Sequence, residues 1–378
     1  MTIELRDKLI CVIRRGMDLD GVEAVPLSDA DCDELIRIGM RQSIQPIIYR
    51  GLKTLDVSES VVHTADRERL KETRQYILQD DALNKIGTAL DEAGISHIPL
   101  KGSVLRDLYP APGMRTSCDV DVLVRQTDLK RAVAAVEAAT DFKALQHNYH
   151  DVSMLNGSVY LELHFSIREN MRNIDALLDR VWEYAKPSGD GCRYVLTPEF
   201  LLFHNVAHMA YHMVHGGLGI RPFLDLWLLR NKTAYDENTV RKMCADCEID
   251  TFYRKSCALA DAWMAGAPTP EGLEVFEQYA QSGGVFGSAE SSMASRQREH
   301  RGVRYLMHRI LMSRELLETE YPVLKEKPYL LPVCQVKRWL RLLKRQKRRQ
   351  VRREIRTVKS MQAETIDSFD QLLTSLGL

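Results

Sequence analysis

Hydrophobic positions recur at helical spacing at both ends of the chain. Leu5 and Leu9, one turn apart, begin such a pattern, and strand-like alternation is rare throughout residues 1–90. The helical spacing returns from residue 195 to residue 378, whereas short alternating runs and turn signals fill the part between. The pattern therefore predicts an N-terminal helical region at 1–90, a mixed core at 91–190 and a C-terminal helical domain at 195–378.

Acidic and apolar residues alternate along one short run of the mixed core. Val120, Val122 and Val124 would line one face of a strand, and Asp119 and Asp121 would share the other. Two like charges at this spacing repel each other and resist burial, so a cation is their usual compensation. Oxygen ligands suit Mg²⁺ or Mn²⁺. A solvated strand end with two surface acids is the alternative that the run itself leaves open.

A turn with glycine and serine precedes the acidic run. Residues 94–103 predict a short apolar strand that enters this turn, and residues 104–109 predict one or two helical turns. Gly102 would let the backbone approach a ligand closely. Ser103, at the start of the short helix, could offer its hydroxyl and nearby N–H groups to a phosphate. The order of these features is more specific than any one of them.

A third acid follows in a predicted hairpin. Residues 149–155 and 158–166 alternate like strands around Asn156 and Gly157, a pair that favours a tight turn. Glu162 in the second strand would face the same side as the two aspartates if the two strands are neighbours. Three carboxylates can hold two divalent ions about 3.5–4 Å apart, an arrangement suited to displacement at phosphorus.

Together these segments resemble the nucleotidyltransferases of the DNA polymerase β superfamily, in particular a poorly characterised bacterial branch. The matching residues are Lys101, Gly102, Ser103, Asp119, Asp121 and Glu162. Segments 204–208 and 220–225 also look like that branch, so the resemblance covers roughly residues 85–230. Many relatives have a second glycine in place of Ser103, and aspartate is common in place of Glu162. The resemblance implies an α+β fold, with a small mixed-sheet core flanked by N-terminal helices and a larger C-terminal helical region.

The resemblance also implies an activity. The enzyme would move a nucleoside monophosphate from an NTP such as ATP to an acceptor and release pyrophosphate, using Mg²⁺ or Mn²⁺. The residues that it assigns to catalysis and metal binding are Asp119, Asp121 and Glu162. The residues that it assigns to the nucleotide are Lys101, Gly102, Ser103 and Arg115. RNA, a small molecule and a protein hydroxyl all stay open as acceptors.

Three rival interpretations compete with this one. A glycosyltransferase also uses Asp-x-Asp, but its motif normally follows a longer run of alternating strands and helices. A catalytically silent nucleotidyltransferase fold could serve as a binding or antitoxin-like module, although acids at all three positions argue against silence. A purely helical scaffold would require that the mixed core is misassigned.

Two further patterns lie near the end of the resemblance. Histidines fall at i, i+4, i+8 and i+11 after Thr197, namely at His204, His208, His212 and His215. This spacing could bind zinc, or the histidines could line a nucleotide pocket or a domain interface. Arg221 and Asp225, four residues apart, either form a surface pair or border the nucleotide site.

Net charge says nothing about partners, because the 378 residues include 52 Lys+Arg and 52 Asp+Glu. The distribution is uneven, however. The segment Lys337–Arg356 is strongly basic and contains a single acid, Glu354. It could contact RNA phosphates or an anionic membrane surface, or it could be a solvated helix paired with acids elsewhere.

The remaining composition indicates the compartment. No apolar run is long enough to cross a membrane, and the N-terminus lacks the basic start and apolar block of a signal peptide. Eight cysteines are scattered along the chain, which is typical of free thiols rather than a disulfide framework. These features predict a cytoplasmic protein.

Overall fold

Helices surround one mixed sheet, which confirms the predicted α+β class. The computed structural model describes residues 1–189, 191–285, 317, 323–342 and 363–378. Before the sheet come α1 (Ile3–Gly16), α2 (Asp29–Arg41), α3 (Gln45–Leu52) and α4 (Glu59–Glu92). The mixed part contains β1 (His97–Pro99), α5 (Gly102–Leu105), β2 (Asp119–Val124), α6 (Leu129–Ala139), β3 (Lys143–His147), β4 (Asp151–Leu155), β5 (Tyr160–His164), α7 (Arg172–Leu178), β6 (Ala185–Pro187) and β7 (Tyr194–Leu196). After it come α8 (Pro198–His215), α9 (Ile220–Lys232), α10 (Glu237–Asp246), α11 (Asp250–Ala265), α12 (Glu274–Ser282), α13 (Val323–Glu326), α14 (Leu331–Leu342) and α15 (Ala363–Leu376).

The five-stranded sheet has the order β1-β2-β5-β4-β3. β2 and β5 run parallel, and the other neighbouring strands are antiparallel. The predicted hairpin turn lies between β4 and β5, where Gly157 has a φ of 85°. Asp121 pairs in register with Glu162, so the strand of the third acid does lie beside the strand of the two aspartates.

The two faces of the sheet contact different cores. Val120, Val122 and Val124 belong to an apolar cluster with residues of α4 and α6. Leu123, on the opposite face of β2, belongs to a larger cluster that includes residues of α8 and α9. Because side chains alternate along a strand, Asp119 and Asp121 lie on the face that is turned towards α8 and α9.

The helix that covers this acidic face, α8, begins at a capping threonine. The Thr197 hydroxyl accepts a hydrogen bond from the Phe200 N–H at 3.4 Å, and Pro198 occupies the first turn, where its missing N–H costs nothing. α8 then continues without a break to His215. The histidines of α8 therefore lie along the edge of the acidic face.

The larger apolar cluster also joins the two ends of the chain. It includes Leu9 and Ile13 of α1 together with Phe223 of α9 and Trp263 of α11. α1 and α3 are in close contact, since a Cβ placed on Gly51 would lie 2.0 Å from the Val12 carbonyl oxygen. The division of the chain at 1–90, 91–190 and 195–378 stays a prediction.

Two other predictions concern the surface and the thiols. Of the basic segment, residues 337–342 form the end of α14, and residues 343–356 lie outside the described residues. No helix in the described part combines the length and the apolar character needed to cross a membrane. All eight cysteines are free thiols, as predicted, and Cys244 and Cys247 are both buried.

Candidate active site

Lys101 stands at the turn that leads into α5. Its backbone φ of 43° lies in a region that non-glycine residues rarely adopt, and such strain is concentrated at functional sites. Its ammonium Nζ lies 3.7 Å from Asp121 Oδ1. Burial opposes the charge of this ammonium, but nearby carboxylates, chiefly Asp121, outweigh burial and raise the pKa of Lys101. Lys101 therefore stays cationic next to Asp121.

The next two residues of the turn differ in their access to the site. A Cβ on Gly102 would lie 2.8 Å from Arg115 Nη1 and 2.9 Å from Ser117 Oγ, so only glycine fits there without displacing a neighbour. Ser103 is 7% exposed, and its backbone N–H donates to the Leu100 carbonyl at 3.1 Å. Gly102 therefore contacts the side chains of the site, whereas Ser103 is almost completely buried.

The three acids predicted from the sequence form what we call the acidic cluster: Asp119, Asp121 and Glu162. Asp121 is 4% exposed. Asp119 Oδ1 accepts a hydrogen bond from Ser117 Oγ at 2.9 Å. Burial, together with the charges of Asp121 and Glu162, raises the pKa of Asp119. The pKa of Asp121 is lowered instead, because Lys101 and His164 outweigh its burial, and the hydrogen bond from His164 lowers the pKa of Glu162.

His164, two residues after Glu162 on the same strand face, joins the acidic cluster. Its Nε2 lies 2.9 Å from Asp121 Oδ1 and 3.3 Å from Glu162 Oε2. Burial lowers the pKa of His164, but the hydrogen bonds to both carboxylates outweigh it and raise this pKa to about 9. Potential ligand atoms of the three side chains all lie within 4.8 Å of one another, so the group could hold a metal ion.

A carboxylate on α9 holds Arg115 in position at the site. Its Nε and Nη2 donate to Asp225 Oδ1 and Oδ2 at 2.8 and 2.9 Å, and the Tyr109 hydroxyl donates to Oδ1 at 2.8 Å. This fork fixes the guanidinium, so that Nη1 lies beside Gly102. Asp225 is 3% exposed, so the interpretation of Arg221 and Asp225 as a surface pair is wrong.

The histidines of α8 have an acidic partner that the sequence did not reveal. His208 Nδ1 lies 2.7 Å from Glu169 Oε1, and His208 Nε2 lies 3.0 Å from His212 Nε2. Burial raises the pKa of Glu169, but the hydrogen bond from His208 outweighs this effect and lowers it to about 2. Burial lowers the pKa of His204 and of His212 to about 3. Among the described residues, the candidate metal groups do not include these histidines.

A cavity of about 190 Å³, here called the first cavity, lies between the turn, β2 and the helices α8 and α9. The charged and turn residues that line it are Lys101, Gly102, Arg115, Asp119, Asp121, Arg221 and Asp225. Neither Ser103 nor Glu162 lines it. Besides the pair of Arg115 and Asp225, the cavity wall thus holds the cationic Lys101 and Arg221 together with the carboxylates of Asp119 and Asp121. This arrangement suits a polyphosphate accompanied by a metal ion.

A family model described as "Uncharacterised nucleotidyltransferase" matches residues 28–265, more than half of the chain. The chain belongs to this family. The predicted assignment to nucleotidyltransferase enzymes is confirmed by this match. The matched residues include both the acidic cluster and the α8 histidines.

Other comparisons add less to this assignment. The nucleotidyltransferase is also similar to a solved structure, the crystal structure of the Megavirus polyadenylate synthase, with a TM-score of 0.29 and 12% identity. The match covers 57% of this chain and 40% of that one, so this chain spans less than half of the viral protein. No curated protein gives a significant match to the sequence.

Sequence reasoning found the acids of this nucleotidyltransferase but missed two of their neighbours. His164 had a signal, because it shares a strand face with Glu162 two residues earlier. Glu169 had none, since it lies after β5 outside any periodic element and meets His208 only through tertiary packing.

Proposed function

We propose that this nucleotidyltransferase moves a nucleoside monophosphate from an NTP to an acceptor hydroxyl, with Mg²⁺ or Mn²⁺ at the acidic cluster. The observation that carries the proposal is the register of β2 and β5, which sets Asp121 beside Glu162 on the face turned towards Lys101. The same residues agree with the roles expected from the family.

The acidic cluster fits a divalent cation. Its donors are carboxylate oxygens, the ligands that Mg²⁺ and Mn²⁺ prefer. The raised pKa of Asp119, caused by burial and by its acidic neighbours, indicates that a further positive charge beside this carboxylate would stabilise its ionised form. A cation bound there would neutralise charge on the reacting phosphate and acidify the attacking hydroxyl.

The protein groups can then be assigned to steps of the transfer. The acceptor oxygen attacks the α-phosphorus and forms a new P–O bond, while the bond to the bridging oxygen of the β-phosphate breaks and its electron pair leaves with pyrophosphate. Glu162 accepts the hydroxyl proton. Lys101 and the free Nη1 of Arg115 neutralise the charge that develops on the pyrophosphate. Gly102 lets the phosphates approach the turn. The contact of Ser103 with the phosphates stays a prediction.

The test is an isosteric change at the centre of the cluster. Asp121→Asn removes one anionic ligand and should lower NTP-dependent pyrophosphate release by about 100-fold or more, since even outer-shell changes at metal sites cost 10–100-fold. Pyrophosphate release and calorimetric affinity for a Mn²⁺-nucleotide would be measured on the folded variant.

The matched control for this test is Asp107→Asn. Asp107 is a nearby acid, but its side chain is 67% exposed and it does not line the first cavity. Wild-type turnover and nucleotide affinity in the Asp121→Asn variant would refute the proposed function, whereas loss in both variants would point to a general effect of charge.

RNA as the acceptor is a separate expectation that rests on the basic segment Lys337–Arg356. Because residues 343–356 lie outside the described part of the chain, this expectation stays a prediction.

A further inference from the structure

Two histidines and an aspartate meet where β4 and β5 lie side by side. Asp151 pairs in register with His164, so both side chains lie on the same face of the sheet. The ring of His150, the residue before β4, stacks on the ring of His164 with centroids 5.6 Å apart. One potential ligand atom from each of the three residues lies within 4.8 Å of the other two. We call His150, Asp151 and His164 the β4–β5 cluster.

His164 has one nitrogen that the described residues leave without a partner. Its Nε2 lies 2.9 Å from Asp121 Oδ1 on β2, whereas its buried Nδ1 has no hydrogen-bond partner in the described part of the chain. The two nitrogens of an imidazole point in divergent directions, and β5 lies between β2 and β4. With Nε2 turned towards β2, Nδ1 is turned away from it, on the side of Asp151. Buried polar atoms without partners are rare and destabilising, and a bound cation would remove that cost.

The contact of Nε2 is the one that metal-binding histidines normally make. Such histidines donate their other ring N–H to a carboxylate, which fixes the ring and leaves one nitrogen for the metal. Without a metal, the carboxylates raise the pKa of His164 to about 9, so each nitrogen carries a proton. A metal ion would replace the proton on Nδ1, while Nε2 keeps the proton that it donates to Asp121.

Asp151 is oriented in a similar way. Its Oδ1 accepts hydrogen bonds from Asn148 Nδ2 at 2.7 Å and from Ser153 Oγ at 3.2 Å, and these contacts fix the carboxylate. Its Oδ2 lies 3.2 Å from His150 Nε2. Two ligand atoms of a tetrahedral zinc ion, each ~2.0–2.1 Å from the metal, lie roughly 3.3–3.4 Å apart. The oxygen of Asp151 and the nitrogen of His150 are therefore close to the spacing that zinc requires.

The low accessibility of His164 Nδ1 suits an ion better than a larger ligand. A zinc ion binds ~2.0–2.1 Å from a nitrogen, closer than the ~2.7 Å at which a hydrogen-bonded molecule begins. The ion therefore occupies space between its ligands. The His150 side chain is 44% exposed, so rotation of its ring admits an ion from solvent. His150 and His164 also line a second cavity of about 160 Å³, which can hold a water molecule as a further ligand.

The cations that line the second cavity lie beside other carboxylates. Lys101 Nζ lies 3.7 Å from Asp121 Oδ1, the atom that His164 Nε2 contacts. Arg168 forms an ion pair with Asp179. Asp151 is 2% exposed, and a carboxylate that is buried so deeply normally has a cationic partner. A divalent ion at the β4–β5 cluster would supply this charge.

We propose that His150, Asp151 and His164 bind a zinc ion at a site separate from the acidic cluster. Two imidazole nitrogens with one carboxylate oxygen form a ligand set that suits Zn²⁺, whereas Mg²⁺ prefers oxygen ligands alone. This inference goes beyond the proposed function and does not depend on it. The ion would join the start of β4 to the end of β5 and hold the His164 ring against Asp121.

The experiment measures zinc binding by the full chain after removal of metals with a chelator. Excess Mg²⁺ is present throughout, so that it occupies the oxygen ligands of the acidic cluster. Calorimetry should show one equivalent of Zn²⁺ bound, and Co²⁺ in its place should give the visible absorption bands of a four-coordinate ion. His150→Gln and Asp151→Asn should each weaken Zn²⁺ binding by about tenfold or more, since even outer-shell changes at metal sites cost 10–100-fold.

Two matched controls locate the ion. His147→Gln makes the same change at an exposed histidine of β3 outside the cluster, and Asp119→Asn alters the acidic cluster. Both should leave the Zn²⁺ affinity within about twofold. Circular dichroism checks the fold of each variant. Because Asp151 is buried, His150→Gln at the more exposed position keeps the test independent of folding.

Three results would overturn the proposal. The first is absence of Zn²⁺ binding by the wild-type chain. The second is a Zn²⁺ affinity that His150→Gln leaves unchanged. The third is an equal loss of affinity in His147→Gln or in Asp119→Asn, which would assign the ion to surface histidines or to the acidic cluster. No nucleotide enters the measurement, so failure of the proposed function would not alter its outcome.

Discussion

Asp225 determines where Arg115 can act. The carboxylate lies on α9, 110 residues beyond Arg115, and holds two nitrogens of the guanidinium while Tyr109 donates to the same carboxylate. Both ion-pair side chains are nearly inaccessible, at 8% and 4% exposed. A buried ion pair of this kind contributes modestly in net terms, but removal of one partner leaves an uncompensated charge.

Replacement of Asp225 by Asn should therefore destabilise the protein by about 3 kcal/mol, the cost typical of breaking a buried pair. Nucleotide affinity should fall too, because Arg115 loses its orientation in the first cavity. Unfolding in urea gives the first quantity and calorimetry the second. Asp261→Asn is the matched control: Asp261 pairs with Arg230 at 2.8 Å, but its side chain is 47% exposed. Its loss should cost less than about 1 kcal/mol, and equal costs for the two variants would contradict the argument.

At the level of single residues, the sequence predicts which side chains could carry out the chemistry better than it predicts which side chains contact each other. Asp119, Asp121 and Glu162 could be proposed because alternation within a strand decides which side chains share a face. Arg115 and Asp225 could not be paired in this way, since their contact depends on how α9 packs against the loop before β2. The positive φ of Lys101 could not be predicted either, because no residue pattern around it requires that conformation.

Among the elements, β2 and β5 were predictable and their adjacency was not. The alternation of polar and apolar residues predicts each strand, and the Asn156-Gly157 turn predicts the hairpin of β4 and β5. The elements from α6 to β4 separate β2 from β5 along the chain. Their parallel pairing therefore depends on how the whole sheet assembles, which local patterns do not determine. The role of Glu162 depended on this pairing.

The contact of α1 with α3 allows a prediction about packing between elements. Gly51→Ala should destabilise the protein by about 1–3 kcal/mol, the usual cost of overpacking, because its Cβ would lie 2.0 Å from the Val12 carbonyl oxygen. Urea unfolding measures the change. Gly87→Ala serves as control, since the nearest atom to its Cβ, His97 Nε2, is 3.6 Å away. The control should be neutral or slightly stabilising, and a neutral Gly51→Ala variant would refute the predicted clash.

Across the whole molecule, the apolar cluster that contains α1 also contains residues of α9, α11 and α15. The helices before the sheet and those after it therefore stabilise one another. Periodicity predicts that both regions are helical, but it carries no information about which helices meet. The basic segment is the other feature at this scale.

If the basic segment Lys337–Arg356 binds RNA, its affinity must fall steeply as salt rises, because each neutralised phosphate releases counterions. Charge-neutral replacements should weaken tRNA binding and leave nucleotide affinity unchanged. The residues to replace are Arg345, Lys347, Arg348 and Arg349. The control replaces four exposed cations of α4, namely Arg67, Arg69, Lys71 and Arg74. Binding to tRNA and to anionic vesicles would be measured across a salt series. Equal weakening by both sets would contradict a specific role, and vesicle binding alone would indicate a membrane role.

The contact between Arg115 and Asp225 also limits how the protein can be divided. A fragment that ends before α9 would keep every acid of the sheet and yet lose the carboxylate that orients Arg115. A fragment that ends before α8 would also lose His208, the partner of Glu169. The shortest piece that preserves both the Arg115–Asp225 pair and the contact of His208 with Glu169 must therefore extend through α9. Truncated variants and chimaeras should keep the sheet, α8 and α9 together.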